Sequence, residues 1–292
     1  MSRVISNTAK QAAADLRNFR EIFADFAREI PPNAWDIQTG TRDKDWTLQQ
    51  TMAHLVAIAQ AFNRAAQAAV TQMPLLTPGM EKRDDLASWN RTQIAELADI
   101  PPEALIERFL VELDFAAQYL TGLSDDDLEQ TVHLRVYGRA ASARDFLDFQ
   151  ISHAGVVHAA QITRPVHQPP LWEQYPAGLL HRTIERFLRQ MAVAYWPEYG
   201  GNSLRALNFI IDGENGGEWH TWAGPEGANV YEGTTEDASF TMRCKDANAL
   251  FGLFTVHVPL KEALTSGSLQ FEPDWREVMQ FFDLFAPTAP RS

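Results

Sequence analysis

The sequence predicts a first half built of helices and a second half of the α+β class. Long segments with apolar residues recurring at helical spacing fill the first half. Beyond the stretch PVHQPP (165–170), short alternating segments separated by glycine-containing turns take over. The chain has 292 residues, more than one core ordinarily organises, so two domains are expected, at 1–165 and 171–290.

Each element has its own signal. Residues 9–30 place Leu16, Phe19, Phe23 and Phe26 between charged positions and stop at Pro31-Pro32. Asp45-Trp46-Thr47 supplies a cap for an alanine-rich helix over 48–71. A third helical piece, 82–97, ends near Pro101-Pro102, and 103–120 repeats the spacing through Leu105, Phe109, Leu113 and Ala116. The run Asp125-Asp126-Asp127 after Ser124 reads as a helix start favourably placed in the helix dipole, not as a carboxylate site. Residues 132–137 form an extended link, and Ser142 caps a helix that contains ISHAGVVHAAQI (151–162). These long amphipathic helices predict an antiparallel four-helix bundle. In the second half a helix over 179–195 precedes strands at 204–211, 218–222, 229–231 and 239–244. Helices at 246–254 and 260–265, a strand at 268–271 and a closing helix at 275–285 complete it.

Composition narrows the function. Lys and Arg total 25 against 38 Asp and Glu, a formal charge of −13, so phosphate backbones and anionic lipid surfaces are repelled and neither nucleic acid nor membrane is an expected partner. The apolar stretches are too short to span a bilayer, and residues 1–16 lack the apolar core of a signal peptide, so the expected location is the cytoplasm. A single cysteine, Cys244, excludes an intrachain disulfide and a thiolate-rich metal site; within a strand it reads as a buried, inert thiol. No glycine-rich phosphate loop or nucleophile elbow is present.

The histidines carry the remaining chemistry. His54, flanked by Met52, Val56 and Ile58, faces the bundle interior, either as a hydrogen-bonded core histidine or as a metal ligand. His158 shares its face with Ile151, Ala154, Gly155 and Ile162, and Gln161 stands one turn on, within hydrogen-bonding reach. His153 precedes His158 by five positions, which on a regular helix turns the two rings about 140° apart. On such a helix His153 packs with Phe146, Phe149 and Val157; a π-bulge would instead bring it over His158, and Gly155 tolerates the distortion. With the bulge, His54, His153 and His158 form a three-imidazole set with open coordination positions, as in a catalytic site. His220, in the strand WHTW (219–222), reads as solvated, and His133, His167, His181 and His257 lack partners at ligand spacing.

Trp46-Thr47-Leu48 followed by His54-Leu55, then Asn90, then His158-Ala159-Ala160-Gln161-Ile162 resemble the DinB/YfiT-like bundle superfamily, which includes the N-terminal domain of mycothiol-dependent maleylpyruvate isomerase. The resemblance implies a divalent metal, zinc or nickel, with His54 and His158 at the first and last ligand positions; Ala154 stands at the middle one. In the second half, Asn208 to Asp212, Trp219 to Trp222, Ala238 to Arg243 and Gly267-Ser268-Leu269-Gln270-Phe271 resemble a sterol-carrier-protein-2 fold. Phe271-Glu272-Pro273 departs from the glycine that family commonly has after its last strand.

The resemblance implies a divalent-metal-dependent enzyme of thiol-linked isomerase or transferase type, using a low-molecular-weight thiol and a small-molecule substrate. A homodimer is also among the expectations. The alternative is a non-catalytic carrier holding a lipid or other apolar ligand in the C-terminal domain, the metal site being degenerate. Phe251, Phe254, Val258, Leu260, Leu264, Phe281, Phe282 and Phe285 would line its tunnel, although the same residues would fill an α+β core. A scaffold without either ligand is a third reading.

Overall fold

A computed structural model describes residues 8–40, 46–135 and 137–285. Asp45 of the expected cap and Val136 of the expected link lie outside the described residues, as do positions 1–7 of the stretch read for a signal peptide. The chain divides into two compact units. One comprises the described residues of Asn7–Leu134 and Ala141–Tyr175, the other those of Arg135–Ala140 and Pro176–Ser292.

In the helical unit, α1 (Ala9–Glu29) starts at Thr8, whose side chain accepts a hydrogen bond from the Gln11 amide, and ends where Pro31 and Pro32 stop it. Helix α2 (Leu48–Thr71) starts from a Thr47–Gln50 capping box. A 3-10 turn, Arg83–Asp85, leads into α3 (Leu86–Glu96). Helix α4 (Pro102–Thr121) uses a proline in its first turn, where no amide hydrogen is needed. The acidic run forms α5 (Asp125–Leu128), with a Ser124–Asp127 capping box; bonds from Ser124 hold the Asp127 carboxyl below the usual range.

In place of the short extended link expected over 132–137, a two-residue strand β1 (Thr131–Val132) pairs antiparallel with β2 (Ala141–Ser142). Helix α6 (Ala143–Ser152) then passes through a π-helical segment, His153–His158, into α7 (Ala159–Thr163). Helix α1 packs on α4 and α6, and α2 on α3, α4 and α6. Phe23 and Phe109 join α1 to α4 with ring centroids 4.8 Å apart. Both are buried, each contributing about 1.5–3 kcal/mol by leaving water.

The start of α6 fixes the angle at which the π segment enters the core. Ser142 Oγ accepts from the Asp145 amide at 3.2 Å, and the Asp145 carboxylate accepts from the Ser142 amide at 3.3 Å, both residues being buried. Ser142→Ala is expected to cost about 1–2 kcal/mol, read as a lower urea midpoint with an unchanged slope.

The second unit opens with α8 (Ala177–Val193) and the short α9 (Pro197–Gly200). Strands β3 (Arg205–Ile211), β4 (Gly217–Gly224), β5 (Gly227–Glu232), β6 (Phe240–Cys244) and β7 (Leu269–Glu272) form, among the described residues, one five-stranded sheet of order β5-β4-β3-β6-β7. All neighbours are antiparallel except β3 and β6, which run parallel in the register Leu207↔Phe240, Phe209↔Met242, Ile211↔Cys244. Helices α10 (Ala247–Phe254), α11 (Leu260–Thr265) and α12 (Trp275–Phe282) complete the unit.

Alternation along β3 sends Leu207, Phe209 and Ile211 to one face, where Phe209 meets Phe282 of α12 at 6.1 Å. Burial of Cys244 pushes its thiol well above the usual range, so the thiolate does not form at neutral pH. Ellman's reagent is expected to leave Cys244 unmodified in the native protein at pH about 8 and to label it fully once urea unfolds the chain.

Candidate metal centre

Three side chains from two elements, α2 and the π segment, converge on one point of the helical unit. His54 lies in the second turn of α2 and is buried; His158 closes the π segment and is buried; His153 opens it and is half-buried. A π turn advances so that positions five apart stack, and His153 and His158 accordingly lie with ring centroids 4.5 Å apart. The ring of His54 is 4.7 Å from that of His158 and 5.5 Å from that of His153. One ligand atom from each lies within 4.8 Å of the others. Among the described residues this is the one group of three or more His, Cys, Asp or Glu side chains placed to hold an ion. The packing of His153 expected on a regular helix is thus replaced by the bulged alternative.

The helix bulges where Gly155 removes an obstacle. A Cβ there would run into the Tyr175 hydroxyl and would stand 2.6 Å from Cε2 of Phe19. Phe19 and Tyr175 themselves meet edge to face at 6.2 Å. The bare backbone of Gly155 therefore lets two aromatic side chains lie against the π segment. Gly155 was legible as permissive; Tyr175, twenty positions downstream, carried no signal in sequence.

The donor set fits a metal ion. Nε2 of His54 and Nε2 of His153 are 3.3 Å apart. Two nitrogens bound to a tetrahedral zinc at about 2.0–2.1 Å each would be about 3.3–3.4 Å apart. His158 Nδ1 lies 2.8 Å from Oε1 of Gln161; donation of its hydrogen to that oxygen leaves the Nε2 lone pair for the site, and fixes the ring's orientation. Aromatic rings pack against two of the imidazoles: the ring centroids of Trp46 and His54 are 4.9 Å apart, and those of Phe62 and His153 5.7 Å. Neither was singled out for this from the sequence.

The other candidates fall elsewhere. His220 is buried rather than solvated, because the turn after β5 folds back over it. Its Nδ1 lies 2.7 Å from the Gly233 carbonyl, and its ring stacks on Tyr231 at 5.3 Å. His181 Nδ1 donates to the Gly216 carbonyl at 3.0 Å. Of the residues expected to line a tunnel, Phe251, Phe281, Phe282 and Phe285 are buried and engage other rings: Phe187 with Phe251 at 5.5 Å, Phe254 with Phe282 at 4.9 Å, Phe281 with Phe285 at 5.1 Å. A groove of about 410 Å³ in this unit lies instead beside Leu204, Trp222, Pro225, Asn229 and Tyr231.

The fold has known counterparts. The crystal structure of the mycothiol-dependent maleylpyruvate isomerase aligns with a TM-score of 0.50 at 13% identity, covering 86% of this chain and 90% of that one. A histidine-to-alanine variant of that isomerase aligns with a TM-score of 0.52 at 12% identity, covering 93% and 96%. At such identities the likeness is one of fold. No curated protein matches the sequence. Among the described residues no helix is long and apolar enough to cross a membrane. Residues 16–163, half of the chain, match the family described as the mycothiol maleylpyruvate isomerase N-terminal domain. The chain therefore belongs to the mycothiol maleylpyruvate isomerase N-terminal domain family.

Proposed function

We propose that the protein is a divalent-metal-dependent enzyme of thiol-linked isomerase or transferase type, with His54, His153 and His158 as metal ligands. The observation that carries this is the convergence of three imidazoles whose donor atoms lie within 4.8 Å of one another in a mostly buried site. Family membership and the fold shared with a mycothiol-dependent isomerase support the thiol-linked class. Three nitrogen donors suit zinc or nickel and leave coordination positions for exogenous groups. When bound, such an ion lowers the pKa of a bound thiol or water and polarises a carbonyl.

The chain's own residues prepare that chemistry. His54 Nε2, His153 Nε2 and His158 Nε2 present lone pairs to one point. Gln161 holds the tautomer of His158. Trp46 and Phe62 limit water around the donors. Here His153 takes the part that the position of Ala154 would have played on a regular helix.

For the second unit we infer a sterol-carrier-like domain. Its strand order, with one parallel pair at β3–β6 and helices following β6, supports this. The proposal extends to two domains, at 1–165 and 171–290, a cytoplasmic location and a homodimer. Elemental analysis of protein expressed with zinc and nickel available tests the central reading. Near-stoichiometric metal is expected in the wild type and loss of it in His54→Ala and His158→Ala; a metal-free wild type would count against the enzyme.

A further inference from the structure

We propose that Asn90 binds the polar part of the ligand received at the histidine site, through a group that offers a hydrogen-bond donor and an acceptor side by side, as a carboxamide does. This rests on the metal reading above. Asn90 is 1% exposed and lies on α3 with Leu86, Trp89 and Ile94, the buried residues of that helix. Among the described residues neither its Oδ1 nor its Nδ2 has a hydrogen-bond partner. Buried amides are nearly always paired, because burial removes their water and returns nothing. A leucine would fill this space without that loss. The amide at this position therefore points to a partner from outside the chain.

Its placement connects it to the histidines. Helix α3 packs on α2. Gln49 Nε2, in the first turn of α2, donates to the Ile100 carbonyl at 2.9 Å and the Ala98 carbonyl at 3.4 Å, just beyond the end of α3. At about 1.5 Å per residue, His54 stands about 7.5 Å along α2 from Gln49, and Asn90 about 9 Å along α3 from Glu96. Measured along their helices, both residues therefore lie within about two turns of the ends that Gln49 ties together. An asparagine amide presents two N–H donors and a carbonyl acceptor. Its complement is a neutral group with both functions, on a ligand whose sulfur reaches the metal.

The test uses the full chain loaded with cobalt(II), whose sulfur-to-metal absorption reports thiol binding without any turnover. Two thiols of the same shape are titrated, mercaptoacetamide and its apolar isostere isobutanethiol. Asn90→Leu is expected to weaken mercaptoacetamide roughly tenfold, to leave isobutanethiol and cobalt affinity unchanged, and to melt no lower than the wild type. Asn90→Asp keeps the shape, removes the N–H donors, and is expected to lose mercaptoacetamide in the same way should the leucine variant not fold. Equal effects on both thiols, or none on either while cobalt is bound, would overturn the role of Asn90. A wild type that binds no cobalt overturns the metal reading itself, and this proposal with it.

Discussion

His153→Ala is expected to lower zinc affinity by more than about a hundredfold, beyond what loss of a residue that merely orients a ligand costs. Competition with a chromogenic chelator measures it. The expectation follows from the 3.3 Å separation between Nε2 of His54 and Nε2 of His153, which suits two donors on one ion. A histidine serving only to pack the helix would leave affinity untouched on removal. Because His153 is half-buried, its loss from the metal-free protein should change stability little, so affinity and folding are read separately.

Gly155→Ala carries the second large effect. In a regular helix this change would add stability, by up to about 1 kcal/mol. Here the new methyl group meets the Tyr175 hydroxyl and Phe19 Cε2, the latter at 2.6 Å. Phe19 is fully buried and Tyr175 nearly so, so neither withdraws without disturbing the core. Overpacking of this kind costs about 1–3 kcal/mol, and a net loss of about 1–2 kcal/mol is expected in urea unfolding. The variant is also expected to bind zinc more weakly, because relief of the clash requires the π segment to move and the two histidines it carries to separate. Destabilisation with unaltered zinc affinity would show that the segment holds its register independently of Gly155.

Much of the helical unit was legible because its signals are local. Pro31-Pro32 and Pro101-Pro102 mark helix boundaries, and Thr47, Ser124 and Ser142 are followed three positions later by Gln50, Asp127 and Asp145, which complete their capping boxes. His54 and His158 were legible from their apolar surroundings and from the resemblance that Trp46-Thr47-Leu48 and His158-Ala159-Ala160-Gln161 carry. The choice between two readings of His153 was not local. It depends on Tyr175 and Phe19, which reach Gly155 from distant positions, and spacing within the helix contains no trace of them.

The second unit divides in the same way. Alternation and glycine turns located its strands, but the sequence could not pair them. The parallel contact of β3 with β6 and the turn that covers His220 are long-range events. The burial of His220 was missed for that reason.

X-ray absorption spectroscopy at the zinc edge of the loaded protein tests the central claim most directly, since it counts imidazoles on the ion itself. The account predicts three imidazole nitrogens at about 2.0–2.1 Å, falling to two in His153→Ala. A wild-type spectrum with two imidazoles or fewer, or one that His153→Ala leaves unchanged, would contradict it.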